Sequence, residues 1–528
     1  MPTTTQTGAP EKFDARRLMF LLLGVGLFAG VYLSPAWGDA VDPGGKHFLL
    51  THQGKAAIAL FLFAAVWWVF EVVPIGVTSI AIGVLQVLFL IRPGVDLVAA
   101  PDPGTAVVLE GLPPVYVPLL QVGADQVISG THLAFKEFFH PSVWFIFGSI
   151  IIGKVFTKTG LTKRLAYKML SVVGEKTSRI YLGAFVLTAL LTHIMAHTAV
   201  AATIFPLLVA IYHLYDEDNK PTNFGKGLFI GMAFVAGAGS IVTLLGAARG
   251  AVAIGFYKEL TGSEITFFQL TWYMAGLGWV MVFALWGFIM VWFRPERAEI
   301  PGLRERSREL YARLGPVTRF EVIALVITIG AVLLMSLRSF VPALSDVDKS
   351  GIILTATILF FVFNVLDIRD LESVPWNIIL LFGGAMSLGY CLVNTGAADW
   401  MAVSTVSMLK TAPAFVFIMG VTLIVLILTN LIMNVAAIAI CLPVALKIGP
   451  YLGVSGEVIL FTALAAAGMP FLLLVGAAPN AIAYESKQFT SGDFFKAGVP
   501  ASVLLMFVVG LFVAFIWPVM GMEIYVSK

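Results

Sequence analysis

The chain has little charge and almost no cysteine. Only 12% of its 528 residues are charged, 59% are hydrophobic, and the mean hydropathy is +0.94. A soluble domain averages about 25% charged residues, so this apolar surplus requires lipid as its solvent. The two cysteines both lie in apolar runs, which excludes a disulfide framework and a cysteine-based metal cluster. The composition therefore predicts an all-α polytopic membrane protein.

Other absences narrow the function. The sequence carries no P-loop, so this chain alone does not use ATP, and nothing in it indicates a nucleic-acid partner. The apolar runs hold no nucleophile–base set or carboxylate cluster of the kind a membrane-embedded enzyme needs. The first 17 residues are polar, and the apolar run from Leu18 has no small-residue cleavage site. We therefore expect a non-enzymatic protein that retains its first span.

Eleven apolar runs predict transmembrane helices, each of which needs roughly 20 residues. They lie near 18–36, 55–72, 75–92, 141–158, 223–257, 266–293, 318–340, 351–366, 375–394, 456–484 and 497–520. Two further runs, 181–213 and 412–447, are interrupted near the middle by polar residues. We expect each of these two to be a re-entrant hairpin, because irregular backbone at that depth is tolerated only inside protein or beside a water-filled cavity.

The distribution of lysine and arginine predicts the orientation. With the N-terminus inside, cytoplasmic segments hold most of these 33 residues, and Arg249 alone is left within the membrane. We therefore expect a protein of the cytoplasmic membrane with its C-terminus outside and an external loop at 93–140. The expected units are 1–53 (tail, first span and external loop), 54–293 (first repeat), 294–317 (basic cytoplasmic linker) and 318–522 (second repeat).

The two expected repeats share a Gly/Ala-rich break. Residues 244–253 and 474–483 agree at six of ten positions, and Thr192 and Thr429 are separated by nearly the same interval. Each unit contains an odd number of crossings, so the second must be inverted in the membrane. Paired broken helices in inverted halves are the best sequence indication of a transporter's binding site.

Three motifs resemble one known family. Residues 67–78 (WWVFEVVPIGVT) are similar to a WW-x-x-EA-x-P-x-x-VT segment, and residues 375–384 (PWNIILLFGG) to PW-x-x-LLFGG. Residues 476–482 (GAAPNAI) are similar to a G-T-P-P-N-A-I loop but depart from it at Ala477 and Ala478. The family is that of divalent-anion/sodium symporters, which carry di- and tricarboxylates and sulfate, and the resemblance covers nearly the whole chain.

The resemblance implies a homodimer that works as an elevator. A transport domain, roughly 181–265 and 412–490, would slide past a fixed scaffold domain. The family's marker is a Ser-Asn-Thr triplet at each hairpin tip, eight residues before a proline. The corresponding triplets here are Ala196-His197-Thr198 and Met433-Asn434-Val435, so only Thr198 and Asn434 match.

Arg249 is the main candidate for binding an anionic substrate. A lone arginine at membrane depth is costly and normally faces a cavity or a partner, and its planar fork matches carboxylate and oxyanion groups. The structural alternative is a salt bridge or a side chain that reaches the membrane surface near the end of a span. The residues expected to bind substrate are His197, Thr198, Arg249, Gly250, Asn434, Val435, Pro479 and Asn480.

The resemblance also implies sodium coupling. The family's first sodium is bound by the first hairpin tip and the loop that carries Arg249, where Ala196, His197 and Gly250 replace the oxygen ligands. Two positive charges ~4 Å apart at a dielectric of ~20 repel by about 4 kcal/mol, so Arg249 is expected to replace this ion. At most one sodium is then expected, at Thr429, Asn434, Ala477 and Asn480. The alternative is that these groups only satisfy the backbone of a helix break.

These features favour a secondary transporter of a small anion, namely a di- or tricarboxylate, sulfate or sulfonate. Half-helix N-termini at the two tips would also attract an anion. The alternative is a cation/proton antiporter of the wider group of hairpin transporters. That class needs intramembrane carboxylates, and the broken regions contain no Asp or Glu. The sequence leaves open whether sodium, protons or anion exchange drives transport.

Overall fold

The computed structural model is almost entirely helical. It describes residues 15–41, 47–92, 130–216, 220–344, 346–409, 413–431 and 433–526, with four further two-residue strands between 95 and 128. The strands pair as antiparallel couples: Ala40–Val41 with His47–Phe48, Val95–Asp96 with Val127–Ile128, and Ala106–Val107 with Val115–Tyr116. The all-α class expected from composition is confirmed.

The described residues of the first half of the chain form eleven helices. They are α1 Ala15–Leu33, α2 His52–Val69, α3 Ile75–Leu88, α4 Gly130–Phe135, α5 Pro141–Thr159, α6 Leu161–Val173, α7 Thr177–Thr192, α8 His197–Tyr215, α9 Asn223–Gly239, α10 Ala248–Thr261 and α11 Phe267–Trp292. A 3₁₀ turn, Lys136–Phe139, joins α4 to α5.

The linker and the second half contain the remaining helices. They are α12 Leu303–Arg313, α13 Arg319–Leu337, α14 Lys349–Val362, α15 Ile368–Glu372, α16 Trp376–Asn394, α17 Ala397–Leu409, α18 Ala414–Leu431, α19 Asn434–Ile448, α20 Gly456–Gly468, α21 Ala478–Tyr484, α22 Ser491–Leu511 and α23 Trp517–Val519. Short 3₁₀ turns lie at Pro342–Leu344, Gly449–Leu452 and Leu474–Gly476, and a π-turn lies at Phe512–Ile516.

Eight helices of the described part are long and apolar enough to cross a membrane. Several carry large apolar side chains on their outer surface; on α13, for example, Val326 is 62% exposed and Leu333 is 56% exposed. Such surfaces are stable only in lipid. The chain is therefore a multi-pass membrane protein.

Two of the expected spans are interrupted. The run 223–257 forms α9 and α10, and the run 456–484 forms α20, a 3₁₀ turn and α21. In each half an alanine in extended conformation, Ala247 (φ −162°) or Ala477 (φ −154°), precedes the second helix.

The break glycines make the same contact in both halves. A Cβ on Gly246 would lie 2.5 Å from the carbonyl oxygen of Thr192, and a Cβ on Gly476 would lie 3.0 Å from that of Thr429. Only glycine allows the loop after α9 or α20 to approach the end of α7 or α18 so closely. The two breaks are therefore packed alike, while their inverted orientation in the membrane stays a prediction.

Each of the two expected hairpins corresponds to a pair of helices that follow one another closely in the chain. The first comprises α7 and α8, and the second comprises α18 and α19, with bounds that differ by a few residues from those expected at 181–213 and 412–447. Helices α8, α18 and α19 are each long enough to span a bilayer. Whether the pairs are re-entrant stays a prediction.

Part of the expected external loop lies within the described residues. Residues 130–139 are helical, whereas no periodic pattern in 93–140 predicted this. Phe135 covers Gly83 of α3, and Phe138 covers Gly383 of α16. These two rings pack into spaces that any larger residue at the glycines would fill, so the end of the loop is held by long-range contacts. Most of the remainder of 93–129 lies outside the described residues.

The expected linker contains α12, whose Leu303 and Ser307 are buried. The junction that follows is held by an ion pair between Arg164 of α6 and Glu321 of α13, in which Nε donates to Oε1 at 2.7 Å and Nη2 to Oε2 at 3.2 Å. This two-pronged contact ties the linker end to the first half of the chain.

Candidate functional site

Four helices begin at the hairpin tips and breaks without a side-chain cap. Their N-cap residues are Ala196, Ala247, Met433 and Ala477, none of which accepts a hydrogen bond through its side chain. The first-turn N–H groups of such helices point outward and carry the positive end of the helix dipole. The chemistry of these four termini therefore favours an anion.

Arg249 lies at the start of α10 and is 2% exposed. Its Nη2 donates to Ser240 Oγ at 2.6 Å, and a Cβ on Gly468 would lie 2.9 Å from the same nitrogen. Its Nη1 is buried and has no acceptor, and no ion pair to Arg249 occurs among the described residues. The salt-bridge alternative therefore finds no support in this part of the chain.

A small cavity adjoins the guanidinium. It measures about 10 Å³, room for one water-sized group. Its lining residues are Ser240, Ile241, Thr243, Ala247, Arg249, Gly250, Leu270 and Leu464. Two-pronged pairing of Arg249 with a substrate carboxylate would require this cavity to widen. In the present arrangement Nη1 lacks an acceptor among the described residues, and Ser240 takes only one of the two N–H groups of Nη2.

The guanidinium lies between the C-terminal ends of two half-helices. Ser240 is the C-cap of α9 and Gly468 is the last residue of α20. These ends meet directly, because a Cβ on Gly237 would lie 2.6 Å from the carbonyl oxygen of Gly468. The C-terminal end of a helix carries a partial negative charge, so two such ends stabilise a cation without any carboxylate.

Ser240 is oriented to accept rather than donate toward Arg249. Its hydroxyl donates to the carbonyl oxygen of Gly237 at 2.7 Å. That bond uses the only proton of the hydroxyl, and a lone pair is left for Arg249.

The first hairpin tip is bound to the first break. The backbone N–H of His197 donates to Gly246 O at 3.0 Å, and Nδ1 of the same residue lies 3.3 Å from that oxygen. Thr243 Oγ1 donates to His193 O at 2.6 Å. Thr198 is exposed. His197 and the loop of Arg249 are therefore neighbours, and Thr198 points away from the packed interior.

Three oxygens meet at the second hairpin tip. Thr429 Oγ1 lies 3.0 Å from Asn434 Oδ1 and 3.1 Å from the carbonyl oxygen of Ala467. The hydroxyl has one proton and serves one acceptor at a time. Ala467 precedes Gly468, which contacts Arg249. The end of α20 therefore separates this oxygen cluster from the guanidinium.

Asn480 and Asn430 satisfy the backbone of the second break. Asn480 Nδ2 donates to Pro470 O at 2.8 Å and to Leu473 O at 3.2 Å, and Asn430 Oδ1 accepts from Leu472 N at 2.7 Å. For Asn480 this agrees with the backbone alternative, and Asn430 satisfies backbone N–H groups of the same break. The side-chain bonds of Asn480 run within the break and not to Thr429 or Asn434.

The remaining predicted residues occupy the same two regions. Gly250 is buried, and its N–H donates to Ala247 O at 3.2 Å. Val435 and Pro479 are buried in the first turns of α19 and α21. Ala477 contributes backbone only, as the N-cap of α21. That these residues bind substrate or an ion stays a prediction.

Three contributors were missing from the sequence-based set: Ser240, Gly468 and the carbonyl of Ala467. A serine that ends an apolar helix near a buried arginine is a usable signal for the first. The other two act through backbone atoms or through lack of a side chain, which leave no residue-type signal.

The oxygen cluster suits a hard monovalent cation. Unwound carbonyls and half-helix C-termini are the usual ligands of coupling sodium ions in transporters. Among the described residues, no group of three or more His, Cys, Asp or Glu side chains could hold a metal.

The fold and the paired breaks define the class, a helical membrane transporter rather than an enzyme. Within that class the chain belongs to the family described as the sodium:sulfate symporter transmembrane region, whose profile matches residues 46–523. The resemblance noted from the motifs is confirmed.

Curated relatives cover almost the full length. A sodium-dependent dicarboxylate transporter SdcS of Staphylococcus saprophyticus is 23% identical over 499 residues, which covers 90% of this chain and 88% of the relative. SdcS of Staphylococcus aureus is 25% identical over 538 residues, which covers 97% and 94%. The resemblance is therefore to complete transporters.

Two solved structures share the fold. MtrF of Neisseria gonorrhoeae, described as one of a class of antimetabolite efflux pumps, has a TM-score of 0.53 at 14% identity over 86% of this chain and 96% of its own. The YdaH transporter of Alcanivorax borkumensis has a TM-score of 0.52 at 12% identity over 86% and 99%. At these identities the likeness concerns the fold alone.

Proposed function

We propose that the protein is a secondary transporter of small divalent anions, dicarboxylates foremost, with at most one coupled sodium. The observation that carries this is Arg249, a buried cation held between two half-helix ends and beside uncapped helix N-termini. Family membership and the dicarboxylate-transporting relatives support the substrate class. Sulfate, which the family description names, and sulfonates are the other candidates.

The substrate would lie among the helix N-termini. Backbone N–H groups near His197 and Asn434 would donate to its anionic groups, and Arg249 Nη1 would supply the fixed charge from beneath the first break. Gly250, Val435, Pro479 and Asn480 would shape the walls, and Thr198 would contact substrate from the exposed side. Packed and dipole-lined sites of this kind hold charge because they replace its water shell with fixed donors.

Arg249 would take the place of the first sodium. Arg249 lies between the C-terminal ends of α9 and α20, whose partial negative charge stabilises a cation. A single sodium would bind Thr429 Oγ1, Asn434 Oδ1 and the Ala467 carbonyl oxygen, and Ala477 and Asn480 would support the loop. This replacement of a mobile ion by a tethered one distinguishes the chain from the pattern that its motifs imply.

The alternating-access step would follow the elevator mechanism. The two hairpins with α9, α10, α20 and α21 would carry the site across the cytoplasmic membrane while a homodimeric scaffold stays fixed. The N-terminus would be cytoplasmic and the C-terminus external.

Uptake by purified protein in proteoliposomes tests the proposal. Labelled succinate and sulfate are supplied while sodium and pH gradients are imposed separately. We expect saturable uptake of at least one divalent anion, with a sodium Hill coefficient no greater than about one. Absence of both binding and uptake would refute the proposed function, and a Hill coefficient near two would refute the loss of the first sodium.

A further inference from the structure

An apolar groove with a volume of about 620 Å³ lies between α11 and α22. Its walls include Gly287 and Val291 of α11 and Pro500, Val503 and Phe507 of α22. A Cβ on Gly287 would have nothing within 4 Å, so the missing side chain leaves this space open. The volume falls in the range of about 300–1,000 Å³ that small-molecule sites occupy, and the apolar walls suit a hydrocarbon chain.

One end of the groove lies near the membrane surface. Val291 belongs to the last turn of α11, which ends at Trp292, and Trp292 is 48% exposed. An exposed tryptophan at the end of a transmembrane helix is typical of the membrane–water interface. The lining residues extend about 10 Å along each helix, since each residue adds ~1.5 Å, and the hydrocarbon core is ~30 Å thick. The groove therefore runs from the interface into one leaflet.

Two basic side chains lie beyond this end of the groove. Lys496 precedes Pro500 by one helical turn and therefore lies on the same face of α22. Arg294 follows Val291 just past the end of α11. Both are exposed, and neither forms an ion pair in the described part of the chain.

The acidic residues nearest to them in the sequence have other partners. Asp493 pairs with Lys226 at 3.1 Å. Glu296 accepts from the backbone N–H of Asn223 at 2.5 Å and from the hydroxyl of Tyr215 at 3.0 Å. The described residues therefore leave positive charge at this end of the groove without a carboxylate, which is complementary to a phosphate group.

We propose that the groove binds one anionic phospholipid, with an acyl chain between α11 and α22 and its phosphate headgroup between Arg294 and Lys496. Basic pockets between transmembrane helices on the cytoplasmic side bind such headgroups, and the basic linker after Arg294 belongs to the side that we expect to be cytoplasmic. A zwitterionic lipid carries a cation that the two basic residues repel, so the charges favour the anionic class.

The bound lipid supports the packing of both breaks. A Cβ on Gly278 of α11 would lie 2.5 Å from Val242, in the loop after α9. A Cβ on Gly498 of α22 would collide with the carbonyl oxygen of Phe471, in the loop after α20. Each helix that lines the groove therefore packs against one break, and a chain that fills the space between the two helices holds both contacts in place.

Lipid titration of the full-length chain in detergent tests the proposal. The probes are dioleoyl phosphatidylglycerol and, as a neutral lipid with the same chains, dioleoyl phosphatidylcholine. Native mass spectrometry measures binding, and thermal unfolding measures stabilisation. We expect the anionic lipid to bind at least tenfold more tightly and to raise the unfolding temperature. Equal affinity for both lipids would overturn the inference, because the groove would then recognise the acyl chain alone.

Charge variants test the headgroup contact. Arg294→Gln combined with Lys496→Gln should weaken phosphatidylglycerol binding about thirtyfold, since each basic residue near an anionic headgroup contributes about fivefold. Arg304→Gln combined with Arg308→Gln removes two exposed charges from α12 instead and is the matched control, whose affinity should stay within about twofold. An equal loss in both double variants would show a general charge effect and overturn the inference.

A filled groove tests the acyl-chain contact. Gly287→Phe should abolish phosphatidylglycerol binding and leave the unfolding temperature of the lipid-free protein unchanged, because its Cβ meets no neighbour. Gly26→Phe in α1, where the Cβ also has nothing within 4 Å, is the control and should retain binding. Retained binding in Gly287→Phe would overturn the inference. Loss of a dimer in that variant would also overturn it, because the groove would then hold a second copy of the chain.

Discussion

Arg249 is held by one hydroxyl and by the ends of two helices, and each of these contacts can be removed separately. Among the described residues Ser240 supplies the only hydrogen-bond acceptor, and Gly468 supplies the space. Because no carboxylate is involved, the guanidinium remains available as an electrostatic partner for a ligand. Its contribution to binding and its contribution to folding should therefore differ in sign.

Replacing Arg249 tests whether its contributions to binding and to folding differ in sign. Arg249→Met should weaken dicarboxylate binding by about 30-fold or more, since losing one partner of a buried charge pair typically costs about 2–5 kcal/mol. The thermal stability of the unliganded protein should stay equal or rise, because a buried charge without a carboxylate gives way to packed methylene groups. Titration calorimetry and thermal unfolding on the same monodisperse sample check both effects. Full affinity in the folded variant would contradict the role in binding.

Thr429 offers the matching test of the ion site. Thr429→Val keeps the shape of the side chain and removes one of the three clustered oxygens. We expect sodium dependence of binding to disappear, while affinity at zero sodium stays within about threefold of the unchanged protein. Thr422→Val on the same helix is the control, since its hydroxyl donates only to Ile418 O. Sodium dependence that survives Thr429→Val would place the ion elsewhere.

At the scale of elements, the two broken helices meet at glycine. Gly237 and Gly246 of the first break region and Gly468 and Gly476 of the second each lie against a neighbouring backbone or the guanidinium. The breaks therefore depend on close packing as well as on weak helix propensity. Because of this packing, only the C-terminal end of α20 separates Arg249 from the oxygen cluster at Thr429.

Gly468→Ala should damage this contact. Its Cβ would lie 2.9 Å from Arg249 Nη2 and would collide with Ile241, and overpacking of this kind costs about 1–3 kcal/mol. Gly330→Ala in α13 is the control, because nothing lies within 4 Å of its Cβ. That change should be neutral or stabilising by up to about 1 kcal/mol. Thermal unfolding of both variants measures the two effects. Equal stability of the two variants would show that the half-helix ends are free to separate.

At the scale of the whole molecule, an ion cluster ties the turn after α10 to α14. Glu264 pairs with Lys349 at 3.1 Å and with Lys258 at 3.1 Å, and Lys349 is buried. Tyr390 of α16 donates to Glu259 at 2.5 Å nearby. If the proposed elevator operates, the Glu264–Lys349 and Glu259–Tyr390 contacts join its moving and fixed parts and must break in every cycle.

The pH dependence of this cluster follows from Glu264. Burial acts to raise the pKa of the Glu264 carboxyl, but Lys349 and Lys258 more than offset it, so the pKa lies below its usual value of about 4.5. A lowered carboxyl pKa stabilises the fold above the unfolded value, and that contribution is lost as pH falls through the folded pKa. We expect no change from this group between pH 5 and 8 and a loss below about pH 4. Glu264→Gln should remove that acid-side loss in unfolding measured against pH.

The sequence by itself determined the class of fold and the two breaks, and it singled out Arg249 and Thr429 as candidate site residues. Hydropathy, glycine content and a charge in an apolar run are local properties, so they can be recognised from the sequence alone. The family also followed from motifs that lie in single segments.

Only the tertiary structure decided what surrounds those residues. Ser240 accepts from Arg249 because the chain folds back over the nine positions that separate them. The close approach at Gly468 and the Ala467 carbonyl beside Thr429 are contacts between segments farther apart in the chain. The helix at 130–139 likewise depends on space left by glycines in α3 and α16. Backbone oxygens and the absence of a side chain carry no residue-type signal, and so these features depended on how the helices pack.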